Sequence, residues 1–380
     1  MAQNRFTPER IVIAVVAVVV VASVAMLIRR GVERTRQDTP PEPAPPSVAP
    51  ATPAQPEMRA TILMSGDAVY ALALTPDGKH LFIAGSDRIR DQPVVRVWDI
   101  AAARVVAVLT RDGEIGRHVT VAVSPDGKSI AAGGVTVPGE GSVVGNVAVW
   151  DFATRKPRWS ATVTTGRVEC LAWSPSGDRL AGGDLIGGVA IWDAASGEVK
   201  STWPAKEGQR SPITALAWSR DGKQLAINTG SDVRVREAVD GQERARTDRT
   251  GAYSVAFGPD DRTLFVTAVL PGELRVWDLT EKRIVRAIST RHTFASGLAV
   301  GPGGRSLVTI AHSGLDAPTA GLTVCGWDVA SGGERWSLFL PTDDIRGSPC
   351  PFAVTPDGRL LGVATAEQFV WTMRLYELPP

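Results

Sequence analysis

Four histidines (His80, His118, His292 and His312) and three cysteines (Cys170, Cys325 and Cys350) are the residues best suited to hold a metal or carry a nucleophile. Their spacing argues against both roles. The histidines share no metal-ligand spacing, no CxxC pair occurs, and neither HExxH nor GxxxxGK[ST] is present. An odd number of widely separated cysteines suggests no disulfide framework, so they read as small buried strand residues. A link between Cys325 and Cys350 stays open if the domain lies outside the cytoplasm. Asp343-Asp344 reads as a solvated acidic pair, and Gly187-Gly188 and Gly303-Gly304 as strand turns rather than nucleotide loops. No catalytic residue, metal or cofactor is expected. Lysine plus arginine number 41 against 40 acidic residues, so no global field draws this chain to nucleic acid.

What would position any side chain is a repeat. Ala73, Ala122, Ala172, Ala217, Ala256, Ala299 and Ala353 each stand three residues before a turn tripeptide, and Leu81, Ile130, Leu180, Leu225, Leu264, Leu307 and Leu361 follow it. The turns include Pro76-Asp77-Gly78, Pro125-Asp126-Gly127, Arg220-Asp221-Gly222 and Pro259-Asp260-Asp261. Seven copies in one register mean one supersecondary unit, repeated and closed or stacked. In the first unit Val69 to Leu74 is apolar throughout, so both faces of that strand need cover. A turn, a second strand, a polar loop, a third strand ending in Trp98-Asp99 and a more polar fourth strand complete a four-stranded antiparallel sheet. The alanine lets neighbouring sheets approach, while Leu74, Trp173, Trp218 or Phe257 beside it fills the opposite interface.

Val97-Trp98-Asp99, Val149-Trp150-Asp151, Ile191-Trp192-Asp193, Val276-Trp277-Asp278 and Gly326-Trp327-Asp328 resemble the Trp-Asp ending of the WD-repeat β-propeller family. Val235-Arg236-Glu237 and Leu375-Tyr376-Glu377 depart from that pattern. The resemblance covers residues 58–380 and implies an all-β, seven-bladed propeller of four-stranded antiparallel blades. The family's Gly-His dipeptide and the aspartate of its polar network are largely missing, so blade rigidity is expected to rest on packing. The seventh unit ends after its third strand. Residues 58–64 resemble fourth strands such as Glu334 to Leu340, and are expected to complete that last blade and close the ring.

Ahead of the propeller, Ile11 to Ile28 carry no charge and lie between Arg5, Arg10 and Arg29, Arg30, the pattern of a transmembrane signal anchor after a basic tail, 1–10. Ser23-Val24-Ala25 also offers a signal-peptide cleavage site, although Met26-Leu27-Ile28 continue the apolar run. Arg34 and Arg36 add to the positive charge after the span, which leans the propeller toward the cytoplasm; an extracytoplasmic placement also fits a basic tail held inside. Residues 29–57 form a linker in which eight of the seventeen residues from Pro40 to Pro56 are proline, an extended tether.

The family resemblance implies a non-catalytic platform that binds a protein or peptide, not nucleic acid, through one face, as a monomeric propeller. Connections between second and third strands look extended at 85–93, 133–145 and 312–321, in units one, two and six, and Phe369 and Trp371 flank the seventh. This arc yields candidate partner-binding residues: Phe369 and Trp371 as anchors, with Arg88, Arg90, Asp91 and Glu140 as polar rim. Packing within the blade is the competing role for either aromatic. A sensor for a small molecule or glycan is the alternative function, and an enzyme with an axial site the third.

Overall fold

The computed structural model describes residues 54–64, 67–87, 89–90, 92–111, 116–137, 144–163, 166–204, 211–247, 251–268, 272–290, 294–312, 321–342, 351–367 and 370–379. The expected anchor at 11–28, the basic tail and the linker up to 53 lie outside them. Among the described residues no helix is long and apolar enough to cross a membrane.

Seven four-stranded antiparallel sheets follow one another as the blades of a β-propeller. In chain order the blades span 67–109, 116–163, 168–203, 215–246, 252–289, 294–341 and, for blade 7, 352–377 together with Glu57–Met64. That early strand pairs antiparallel with Val370–Glu377, from Glu57 opposite Glu377 to Met64 opposite Trp371. One sheet thus holds both ends of the repeat array, so the ring has no seam left for another chain to pair with.

The core is distributed. Seven apolar clusters each join one blade to the next, including the pair formed by blades 7 and 1, where Ile62 and Met64 pack with Val69, Leu72 and Leu81. Ala217 faces the cluster shared by blades 4 and 5 and Ala172 that of blades 3 and 4. The indole N–H groups of Trp173 and Trp218 reach back to donate to the carbonyls of Ala122 and Ala172 in the preceding blades, at 3.2 and 3.0 Å. A small side chain at the alanine position therefore admits both the neighbouring sheet and this hydrogen bond.

The Trp-Asp pairs divide their labour. Each tryptophan lies opposite a second-strand leucine or isoleucine, as in Trp150 opposite Ile130 and Trp192 opposite Leu180. Each aspartate caps the following turn: the backbone N–H three residues on donates to Asp99, Asp151, Asp193, Asp278 and Asp328, at 2.7 to 2.9 Å. The indole nitrogens of Trp98, Trp150 and Trp277 are buried without a hydrogen-bond partner, so packing rather than a polar network seats them.

The turns interlock around the ring. Gly127 and Gly177 adopt φ of 73° and 75°, and a Cβ added to either would come within 3.5 to 3.6 Å of Pro76 and Pro125 in the preceding blades. Between blades 4 and 5 both residue types change together. Arg220 replaces the proline and exposes an N–H; Asp261 replaces the glycine at φ 56° and accepts from the N–H groups of Arg220 and, at 3.1 Å, Asp221. Two departures from the repeat compensate one another.

Candidate functional site: the axial channel

The inner strands of all seven blades line a channel of about 430 Å³. Its walls follow the alanine register. The residues one position before each alanine, Leu72, Val121, Leu171, Leu216, Val255, Leu298 and Phe352, form an apolar ring. Those two before it, Ala71, Thr120, Cys170, Ala215, Ser254, Gly297 and Pro351, are mostly small and keep the bore open. Toward the strand starts come Tyr70, Val119, Glu169, Thr214, Tyr253 and Ser296.

That last ring holds the channel's chemistry. The Arg117 guanidinium lies 5.9 Å from the Tyr70 ring centroid, within cation–π range. Glu169 accepts from Arg167, which commits its carboxylate. Thr214 Oγ1 is buried with no partner. The Cys170 thiol points to the Ile213 carbonyl at 3.4 Å, and burial pushes its pKa far above the usual thiol range, so no thiolate forms at neutral pH. The mouth offers aromatic faces and hydroxyls for recognition, with its acid already paired.

The histidines are scattered. His118 is 2% exposed and sits edge-on to Trp150 with ring centroids 5.8 Å apart. Burial, then the nearby Arg111, lowers its pKa to about 3. His80 of blade 1 packs against Phe152 of blade 2 and His312 is buried in blade 6, while His292 lies outside the described residues. Among the described residues no three His, Cys, Asp or Glu side chains group as metal ligands. Cys325 is buried and its thiol is pushed up to about 12; Cys350, Asp343 and Asp344 lie outside the described residues.

Of the six candidate partner-binding residues, Arg88, Asp91, Glu140 and Phe369 lie outside the described residues. Arg90 sits on the blade 1 hairpin, its side chain 74% exposed and 3.9 Å from Asp87, whose carboxylate also caps the N–H groups of Ile89 and Arg90. Trp371 is half-buried against the cluster between blades 7 and 1. Beside Arg90, Ile89 is 90% exposed, an apolar tip that no aromatic signal marks in the sequence.

The connections are shorter than the sequence suggests, because the strands run further. Blade 1's strands His80–Asp87 and Gln92–Asp99 leave 88–91, no longer than the connections 185–188 and 229–232 of blades 3 and 4. In blade 2, Ser129–Thr136 and Val144–Asp151 leave 137–143, and in blade 6 Ser306–His312 and Gly321–Asp328 leave 313–320. Elaboration thus falls on blades 2 and 6 rather than on an unbroken arc. Strand alternation at Gly85 and Gly133 was hidden by glycine, which carries no side chain to show a face.

Against known proteins, the chain matches no family model, and no curated protein matches it either.

Proposed function

We propose that this chain is a membrane-tethered propeller of WD-repeat type, held by residues 11–28, that catalyses nothing and binds a protein or peptide on the face carrying the connections between second and third strands. The WD-repeat assignment is supported by the five tryptophans in one register, each followed by an aspartate that caps its turn. The observation that carries the binding role is the contrast between a seven-fold scaffold and 137–143 and 313–320, the longest of its connections between second and third strands. The exposed Ile89 with Arg90 adds an apolar tip and a polar rim on the same face. The tether favours the cytoplasmic side through its arginines.

Crosslinking in intact membranes tests this reading, comparing the native protein with one whose 137–143 and 313–320 connections are shortened. Loss of specific partners is expected; recovery of the same partners by both proteins defeats the loop-face assignment. A reporter fused after Pro380 reads topology. A second reading, a small-molecule or glycan sensor, rests on the 430 Å³ channel with Tyr70 and Tyr253 at its polar ring. Ligand-dependent thermal stabilisation that Tyr70→Ala removes would establish it instead.

A further inference from the structure

At the slot where five blades carry tryptophan, blade 4 carries Arg236. It stands opposite Leu225, as Trp192 stands opposite Leu180 in blade 3. Its guanidinium lies 5.7 Å from the Trp203 ring centroid, on the outer strand of blade 3, and its buried Nε has no hydrogen-bond partner. Arg234, two residues earlier on the same strand face, pairs through Nε with Asp232 at 3.2 Å. That carboxylate is already shared with Arg246 at 2.6 Å and Thr229 at 2.6 Å. Two guanidiniums therefore share one aspartate, and Arg236 is not among its partners. Glu243, the cross-strand neighbour of Arg236, acts on it without coming into ion-pair range.

Arg234, Arg236 and Trp203 line a notch of about 50 Å³ between blades 3 and 4, together with Ser211 and Thr229. The notch shares Val189, Trp203 and Pro204 with a cleft of about 370 Å³ that runs on toward Trp192 and Val163. Asp184, the acid of this cleft, turns its carboxylate into its own hairpin, accepting from the N–H groups of Ile186 and Gly188 at 3.0 and 2.7 Å. A guanidinium with no carboxylate in ion-pair range thus adjoins an apolar trough, at the end of an outer strand whose far edge no other strand pairs among the described residues. A free ion would leave the trough unfilled, and an apolar ligand alone would leave Arg236 unpaired.

We propose that the notch and cleft together bind an extended peptide segment, seating a side-chain oxyanion between Arg236 and Arg234 and a neighbouring bulky apolar side chain against Trp203. The anion is a carboxylate or a phosphoester, two sources of the same recognition chemistry. The site is separate from the long connections of blades 2 and 6 and goes beyond the loop-face reading.

The test incubates the detergent-solubilised full-length protein with an array of random heptapeptides that includes phosphoserine. Bound spots are expected to be enriched in Asp, Glu or phosphoserine within two positions of Leu, Phe or Trp. Whichever acid dominates identifies the source. Resynthesised hits should lose at least tenfold in affinity when the acid becomes its amide or alanine, and in Arg236→Trp, which supplies the side chain of the sister blades. Arg236→Gln serves in its place if the Trp variant melts lower than wild type. Spots without acidic enrichment, a pattern unchanged in both variants, or Arg236-dependent binding to phosphatidylserine vesicles with no peptide enriched would each overturn the proposal. Shortening the blade 2 and blade 6 connections should leave the array unchanged, so the two readings fail separately.

Discussion

The interface between blades 2 and 3 and that between blades 3 and 4 use the same slot in opposite ways. In the first, Trp192, 2% exposed, stacks beside Trp159 with centroids 6.4 Å apart. In the second, the guanidinium of Arg236 occupies the equivalent register over Trp203. Both blades keep four strands and the same turn, so the slot tolerates an indole or a cation without loss of the fold. A repeat protein spreads its stability over many near-equivalent interfaces, and one of them can be given over to recognition.

The largest effect expected from probing this slot is at its most buried member. Trp150, 0% exposed, fills the interface of blades 1 and 2, and Trp150→Ala should cost about 3–5 kcal/mol in denaturant unfolding. A cost near zero would mean that the slots contribute no packing energy, and the comparison would collapse. Next is His118, which leans on that same indole. Its folded pKa of about 3 lies below the ordinary histidine value of 6.5, so the unfolded chain takes up a proton first as pH falls. Stability is unaffected above the unfolded value and declines below it, by about 1.4 kcal/mol per pH unit until the folded pKa is reached. Wild type should therefore lose roughly 2 kcal/mol more than His118→Leu between pH 6.5 and 5. Parallel pH profiles would show that the ring is not held neutral.

Smaller still, Arg236→Trp should stabilise the fold by about 1 kcal/mol, by removing a buried unpaired donor and restoring the sister packing. Destabilisation instead would mean that blade 3 has adapted its own surface to the cation. The smallest effect tests the paired departures at the turns of blades 4 and 5. In a double-mutant cycle, Arg220→Pro and Asp261→Gly together should be less damaging than their sum, with a coupling of about 0.5–1 kcal/mol. Strict additivity would separate the two substitutions.

The blades were legible because strand, turn and register signals are local and occur seven times; one weak match, such as Pro302-Gly303-Gly304, is carried by the other six. The channel was equally present in the sequence but unread. Its wall is the position before each alanine, and seven apolar residues there look like any buried strand until the ring is closed. Gly85 and Gly133 look like loop starts in the sequence, yet the chain continues there as strand. Arg236 was visible only as a missing tryptophan.

The sequence by itself determined the number of blades, the turn at each, and which side chains face a neighbouring sheet, because alternation and turn chemistry act within a few residues. Only the tertiary structure decided what those faces meet. That Asp261 answers Arg220 from about forty residues away, that one carboxylate serves Arg234 and Arg246, and that Arg236 has none, are consequences of bringing distant blades side by side. Charge balance in a notch depends on distances across the ring, and those arise only when the ring closes.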